Sequence, residues 1–178
     1  VNAHPHSSEI VSVDHNGIIE NSDEIKKKLE SKGLKFQSQT DTEVITLLIT
    51  DYLNNNEPLE SVFKTLKQLK GSFALGIIFK DHKNIIIGAR RGSPLAVGYS
   101  KEENYLGSDS YALKSMTNKI SYLDDGDLCI LSKDKVEFYD VNKRKINKKV
   151  YALSDDENIS DKGDYKNFMS KEIFEQST

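Results

Sequence analysis

The sequence contains 178 residues, of which 37% are hydrophobic and 30% are charged, and it has no tryptophan. This length and composition are typical of one soluble globular domain with a buried core. The balance of 25 basic and 28 acidic residues gives a formal net charge of -3, so no basic field favours a nucleic acid or an anionic membrane as a partner.

The apolar runs and the cysteine content narrow the class of protein further. The apolar runs, such as residues 75–79, are too short to span a membrane, and the first residues lack the basic and apolar regions of a signal peptide. Cys129 is the single cysteine and cannot form an internal disulfide, which favours a reducing, cytoplasmic compartment. Because Val1 is not methionine and an interior strand follows closely, we expect a piece of a longer chain.

The first predicted element ends in an Asn-Gly pair. An apolar, β-branched run over residues 10–14 predicts a strand, and Asn16 with Gly17 predicts a tight turn before a helix. Both residue types tolerate left-handed backbone angles, so the turn can direct the Asn16 carboxamide and the Gly17 N–H towards one point. Two such donors can form an oxyanion hole. An ordinary Asn-Gly hairpin turn is the alternative, and these two residues alone favour it.

Three histidines lie in this first segment. His4 and His6 flank a proline, but two histidines with no third ligand nearby are a weak signal for a metal. We expect a loop in which one of them makes structural hydrogen bonds. We interpret His15 as a structural residue, although its titration range keeps it a candidate acid or base. No metal and no cofactor is expected.

Three amphipathic helices are predicted in the first half of the chain. The first is capped at residues 21–22 and ends at Gly33. A short strand is predicted next, at residues 34–36. The third helix begins at Pro58 and is closed by Gly71, with its apolar side chains at helical spacing.

The second helix places a carboxylate at its start. Asp41 precedes apolar residues at helical spacing, so it lies near the N-terminus, where the helix dipole and free N–H groups favour a negative charge. Asp41 is therefore either an N-cap or a carboxylate that receives the ammonium group of a ligand. The sequence alone favours the cap.

The second half of the chain is extended in character. Short strands are predicted over residues 72–79, 85–89, 96–99, 104–107, 119–123, 128–131 and 136–139, with a helical turn at 111–113. Cys129 lies in one of these apolar strands, where burial raises the pKa of a thiol, so we interpret it as a core residue rather than a nucleophile. Residues 154–158 read as a loop and residues 165–174 as a final helix. This order predicts helices that cover an antiparallel or mixed sheet.

Several segments together resemble one family. They are residues 15–21 (HNGIIEN), 40–44 (TDTEV), 69–74 (LKGSFA), 92–95 (GSPL), 108–113 (SDSYAL), 162–165 (KGDY) and 171–176 (KEIFEQ). In this order and spacing they resemble the glutaminase domain of the glutamine:fructose-6-phosphate aminotransferases (isomerizing), which are class II glutamine amidotransferases. The resemblance runs from residue 1 to about residue 176.

The resemblance implies a fold and a domain division. The fold is α+β, an N-terminal-nucleophile αββα sandwich that is N-terminally incomplete in this sequence. Residues 1–153 would form a partial glutaminase domain, and residues 154–178 a tail and helix that lead towards an absent sugar-isomerase domain.

The resemblance also implies a mechanism. In the family the first residue is a cysteine whose thiolate attacks the glutamine carboxamide, with its own α-amino group as the base, and this gives a thioester and ammonia. The ammonia converts fructose 6-phosphate to glucosamine 6-phosphate. Carried over by position, Asn16 and Gly17 would form the oxyanion hole, Asp41 would hold the α-ammonium of glutamine, and His4 would have a supporting role.

The nucleophile is missing from this resemblance. The family's opening segment would lie upstream of Val1, and Cys129 does not align with its cysteine. We therefore expect the parent protein to be a glutamine-dependent aminotransferase and the 178 residues alone to be inactive. Loss of the opening strands would expose a sheet edge, so a homo-oligomer is expected.

Two alternatives stay open at this point. Another class II amidotransferase, making a purine precursor or asparagine, would share the Asn-Gly pair and the carboxylate. A non-catalytic binding or scaffold domain of the same fold would lack the nucleophile altogether. The coding sequence after Thr178 would test the first alternative, and the coding sequence before Val1 would test the second.

Overall fold

The computed structural model describes residues 4–153. Its elements are β1 (His6–Ser7), β2 (Val11–Ile19), α1 (Ser22–Ser31), α2 (Asp41–Leu53), α3 (Pro58–Gln68), β3 (Gly71–Phe79), β4 (Ile86–Arg91), β5 (Ala96–Tyr99), β6 (Asn104–Gly107), α4 (Ser110–Leu113), β7 (Lys119–Tyr122), β8 (Leu128–Leu131), β9 (Val136–Tyr139), β10 (Lys145–Ile146) and β11 (Tyr151–Ala152). The predicted loop at 154–158, the predicted helix at 165–174 and the whole proposed tail lie outside the described residues.

The elements stack in four layers. The strands form two antiparallel sheets with the orders β1-β2-β3-β4-β8-β9-β10 and β11-β7-β5-β6. Helices α1, α2 and α3 share the main hydrophobic core with the larger sheet. A second cluster joins Ala74 and Cys129 of the larger sheet to Val97 of the smaller one, and Leu113 of α4 packs with Ile120 of the smaller sheet. The predicted αββα arrangement is confirmed.

The helices form where the apolar spacing predicts them. α1 buries Ile25 and Leu29 against the larger sheet, because residues four apart lie on one face of a helix. α3 begins at Pro58 and ends at Gln68. Proline suits the first turn, because its missing N–H costs no hydrogen bond there. No helix among residues 4–153 is both long enough and apolar enough to cross a membrane.

The predicted turn at Asn16 and Gly17 is wrong. β2 continues without a break to Ile19 and pairs with β3 along its whole length, with Asn16 opposite Ala74 and Gly17 opposite Phe73. Gly17 has a φ of 140°, and a Cβ placed on it would lie 2.1 Å from the carbonyl oxygen of Ser72. Glycine is therefore needed here because β3 approaches closely, not because the chain reverses.

The short strand predicted at residues 34–36 is also wrong. This segment connects α1 to α2 without a strand partner. The Leu34 N–H donates to the carbonyl of Leu29 at the end of α1, and the Lys26 ammonium lies 4.9 Å from the centre of the Phe36 ring. Both apolar side chains pack against the main core, which explains the apolar spacing without a strand.

Candidate functional site

The candidate site begins at one edge of β2. Backbone hydrogen bonds join Glu20 to Lys70 and Lys80 to Ile10 across the β2–β3 pair, so the even-numbered residues of β2 are the ones that bond to β3. The N–H of Gly17 is therefore directed to the opposite edge. The two-residue strand β1 occupies that edge only opposite residues 12 and 13, and no described strand covers it from residue 14 to 19.

Asn16 and Gly17 are both exposed at this edge. Side chains alternate across a strand, and the alternate residues Val13 and His15 are buried against the helical layer. The Asn16 carboxamide is therefore on the other face, and none of the described residues forms a hydrogen bond with it. The strand presents a free carboxamide next to a backbone N–H that β3 does not use.

Asp41 lies beside the same edge. The N-cap of α2 is Thr40, whose hydroxyl accepts from the Glu43 N–H at 3.4 Å, so the predicted capping role of Asp41 is wrong. The Asp41 Oδ2 instead accepts a hydrogen bond of 2.9 Å from the N–H of Ile19, and its side chain is 27% exposed. Ile19 is two residues from Gly17 on one strand edge, and two residues of a strand span about 7 Å. The structure therefore places Asp41 and the Gly17 N–H at the same strand edge, with Asn16 adjacent to Gly17 in the strand.

His4 lies further along this edge. Its Nδ1 accepts from the N–H of His15 at 3.2 Å and is 3.1 Å from a carboxylate oxygen of Asp14. The His6 ring packs edge-on against the His4 ring, with the centroids 5.6 Å apart, and its Nε2 is 3.0 Å from the hydroxyl of Thr40. Both histidines thus make structural hydrogen bonds, where one was predicted. No group of three or more His, Cys, Asp or Glu side chains in residues 4–153 is arranged to hold a metal ion.

His15 lies beside Asp41 and Thr42 at the start of α2. Its Nδ1 is 3.1 Å from the Thr42 hydroxyl and 3.6 Å from the Asp41 Oδ1, and its side chain is only 2% exposed. Burial lowers the pKa of His15 below its usual value, and the Asp41 carboxylate opposes that shift only in part. The alternation along β2 would have placed His15 on the buried face with Val13, but its contacts with α2 are not visible in the sequence.

Glu43 organises the backbone that leads into α2. Its carboxylate accepts from the Gln37 N–H at 2.7 Å and from both the N–H and the hydroxyl of Ser38 at 2.6 Å. Burial acts to raise the pKa of Glu43, but the hydrogen bonds from Ser38 and Gln37 outweigh it and hold the pKa below its usual value. Glu43 therefore fixes the approach to Asp41, a role that sequence analysis missed.

Cys129 lies far from this edge. It is fully buried, and burial raises the pKa of its thiol to about 12. Its strand, β8, is separated from β2 by β3 and β4, and three strand spacings amount to about 14 Å. The interpretation of Cys129 as a core residue agrees with this position, and its thiol cannot reach a molecule bound at the edge of β2.

The sequence has a match in a known domain family and in curated proteins. A family profile described as "Glutamine amidotransferase domain" matches residues 3–115. The chain is 46% identical over 175 residues to the glutamine--fructose-6-phosphate aminotransferase [isomerizing] of Gluconobacter oxydans, covering 98% of this chain and 29% of that protein. The protein of the same name from Zymomonas mobilis is 46% identical over 176 residues, with the same coverage of both chains. The chain thus spans 29% of the length of these relatives.

Solved structures share the fold. A glutamine phosphoribosylpyrophosphate amidotransferase from B. subtilis superimposes with a TM-score of 0.66 at 22% identity, over 79% of this chain and 31% of that chain. A glutamine aminotransferase class-II domain protein from Silicibacter pomeroyi gives a TM-score of 0.62 at 15% identity, over 86% of this chain and 73% of that chain. At these identities the likeness concerns the fold alone.

Proposed function

We propose that this chain, which belongs to the glutamine amidotransferase domain family, forms the glutamine-binding part of a glutaminase site. The parent protein of this site would be a glutamine:fructose-6-phosphate aminotransferase. In this proposal Asp41 binds the α-ammonium of glutamine, and Asn16 with Gly17 stabilises the oxyanion. His4 supports the strand edge through the N–H of His15 and has no contact with the substrate.

One observation carries the proposal: a partly exposed carboxylate lies at the same strand edge as the Gly17 N–H, next to the Asn16 carboxamide. The Asp41 carboxylate is held by the Ile19 N–H, about 7 Å along the strand from the N–H of Gly17. The ammonium nitrogen and the carboxamide oxygen of extended glutamine are about 5–6 Å apart by standard bond lengths. Glutamine can therefore place its ammonium on Asp41 while its carboxamide oxygen approaches Gly17 and Asn16.

The reaction follows from these positions. A thiolate attacks the carboxamide carbon, a C–S bond forms, and the carbonyl oxygen becomes an oxyanion that the Asn16 carboxamide and the Gly17 N–H stabilise. The tetrahedral intermediate then collapses, the C–N bond breaks, and the nitrogen takes up a proton and leaves as ammonia. Water hydrolyses the thioester to glutamate and restores the thiolate.

The sequence does not offer this thiolate. Its one cysteine is Cys129, which is buried and whose thiol has a pKa of about 12. We therefore expect the purified 178-residue chain to release no ammonia from glutamine, with the same result for Cys129→Ser. Release that is lost in Cys129→Ser would contradict both the site and the assignment of Cys129 to the core.

The sugar acceptor, the cellular compartment and the oligomeric state are further parts of the proposal. The relatives named above are fructose-6-phosphate aminotransferases, which supports fructose 6-phosphate as the acceptor and glucosamine 6-phosphate as the product. The cytoplasm is the proposed compartment. A homo-oligomer is also proposed. Ile18 of β2 and Ile78 of β3 lie at opposite ends of the strand pair and are 70% and 51% exposed, and exposed apolar side chains favour association.

Kinetics of an Asp41 variant test the proposal. The experiment uses the complete polypeptide that the gene encodes, hereafter the complete gene product. Asp41→Asn keeps the shape but removes the charge, so we expect the KM for glutamine to rise by about tenfold or more. Asp23→Asn is the matched control, because Asp23 is an exposed first-turn aspartate of α1. Equal KM values for the two variants would contradict the role of Asp41.

A further inference from the structure

His15 is a buried imidazole with one unsatisfied nitrogen. Its Nδ1 faces α2, 3.1 Å from the Thr42 hydroxyl and 3.6 Å from the Asp41 Oδ1. Its Nε2 is buried and has no hydrogen-bond partner in the described part of the chain. A buried polar atom without a partner is uncommon and needs a physical reason.

The contacts indicate which nitrogen carries the proton. A proton on Nε2 would leave a buried N–H donor without an acceptor, which is more costly than a buried lone pair. A proton on Nδ1 is directed at the Thr42 hydroxyl and at the negative Asp41 carboxylate. We propose that His15 is a positioning residue, whose neutral Nδ1–H fixes the first turn of α2 and the Asp41 carboxylate for the substrate ammonium. This inference rests on the proposed binding of glutamine to Asp41.

The Asp41 carboxylate is then held from two sides. The N–H of Ile19 binds Oδ2 at 2.9 Å, and His15 lies against Oδ1 and the neighbouring Thr42. The donor of the first contact is a backbone N–H, so it persists when His15 is substituted. The second contact depends on the His15 side chain, which makes no contact with the substrate in this proposal. A substitution of His15 therefore tests a positioning role and not a binding role.

The neutral form of His15 matters for the charge at the site. Three charged or titratable side chains interact electrostatically with it: Asp41 from α2, His4 from the segment before β1, and the neighbouring Asp14 from β2 itself. Burial lowers the pKa of His15, which keeps the ring neutral near pH 7. A protonated ring would place a positive charge beside the Asp41 carboxylate and would compete with the ammonium of glutamine. We therefore expect the KM for glutamine to rise as the pH falls and His15 becomes protonated.

Two substitutions of His15 separate the donor from the charge. In His15→Asn the side-chain NH2 lies near the former Nδ1, so the donor is kept while titration is lost. In His15→Gln the amide reaches towards the former Nε2, so the donor is misplaced. We expect His15→Gln to raise the KM for glutamine by about tenfold with little change in kcat.

The two His15 variants should differ in their KM for glutamine. We expect His15→Asn to keep a KM near that of the wild type and to lose the rise in KM at low pH. His82→Gln is the matched control, because His82 is exposed in the β3–β4 connection. All measurements use the complete gene product and glutamine hydrolysis. The inference is overturned if His15→Gln keeps the wild-type KM, or if His15→Asn is impaired as strongly as His15→Gln.

A direct measurement of the tautomer covers the case in which His15→Gln fails to fold. Nitrogen NMR of the complete gene product with labelled histidine rings distinguishes a protonated Nδ1 from a protonated Nε2. We expect the signal that is lost in His15→Asn to be that of a neutral ring with its proton on Nδ1. A proton on Nε2 overturns the inference. If the wild type hydrolyses no glutamine, the proposed function fails, whereas the tautomer result still tests the geometry around His15.

Discussion

Replacement of Gly17 by alanine tests the close approach of β2 and β3. The φ of Gly17 is 140°, where an L-residue is strained, and its Cβ would lie 2.1 Å from the Ser72 carbonyl oxygen and 2.8 Å from the Phe73 Cα. Both neighbouring atoms belong to the backbone of a central strand, so no side-chain rotation relieves the contact. The strands must separate at the position where the Gly17 N–H is proposed to bind the oxyanion.

The magnitude follows from two separate contributions. An alanine in an unfavourable positive-φ conformation costs about 1–2 kcal/mol, and forced overpacking adds about 1–3 kcal/mol. We therefore expect Gly17→Ala to lower the free energy of unfolding by about 3 kcal/mol. Gly33→Ala provides the control, because Gly33 also has a positive φ, of 90°, but no atom lies within 4 Å of its Cβ position. Only the conformational cost of about 1 kcal/mol applies there.

Urea unfolding of the purified chain, followed by circular dichroism and fluorescence in parallel, measures both free energies. Coincident transitions by the two probes confirm that a single free energy is meaningful. A loss for Gly17→Ala that equals the loss for Gly33→Ala would refute the argument from close strand approach.

Two further predictions concern the approach to Asp41 and the buried histidine. Glu43→Gln should lower the free energy of unfolding by about 1–3 kcal/mol, because it places an amide NH2 against N–H donors. Urea unfolding measures this loss, with Glu30→Gln as the control because Glu30 is an exposed glutamate of α1. Equal losses in the two variants would contradict the prediction. The lowered pKa of His15 means that the unfolded chain binds the proton first, so stability should fall as the pH drops below the usual histidine value of 6.5. Urea unfolding as a function of pH should show this loss in the wild type and in His82→Gln but not in His15→Asn, and an unchanged slope in His15→Asn would show that another group is responsible.

The sequence predicts the elements whose pattern is local. The third helix is predicted from Pro58 and its apolar spacing, and β3 is predicted from a continuous apolar run. The core position of Cys129 also follows from a local pattern, since its whole strand is apolar. In each of these cases the residues that determine the structure lie within one segment.

The sequence does not predict features that depend on a distant partner. Asn-Gly usually marks a turn, but here β3 supplies nine paired positions far along the chain and keeps β2 extended. Thr40 caps α2, and the carboxylate of Asp41 binds the Ile19 N–H of a distant strand instead. The contact of His15 with Asp41 depends on the same packing of α2 on β2. The site residues were therefore identified by resemblance, whereas their geometry required the fold.

Transfer of the amide nitrogen tests the central claim most directly. The complete gene product is incubated with fructose 6-phosphate and with glutamine that carries an isotope label in its amide nitrogen, and the products are identified by mass spectrometry. The proposal predicts labelled glucosamine 6-phosphate from the wild type and a strongly reduced amount from Asp41→Asn at low glutamine concentration. Labelled ammonia without labelled amino sugar, or transfer of the label to phosphoribosyl pyrophosphate instead, would contradict it.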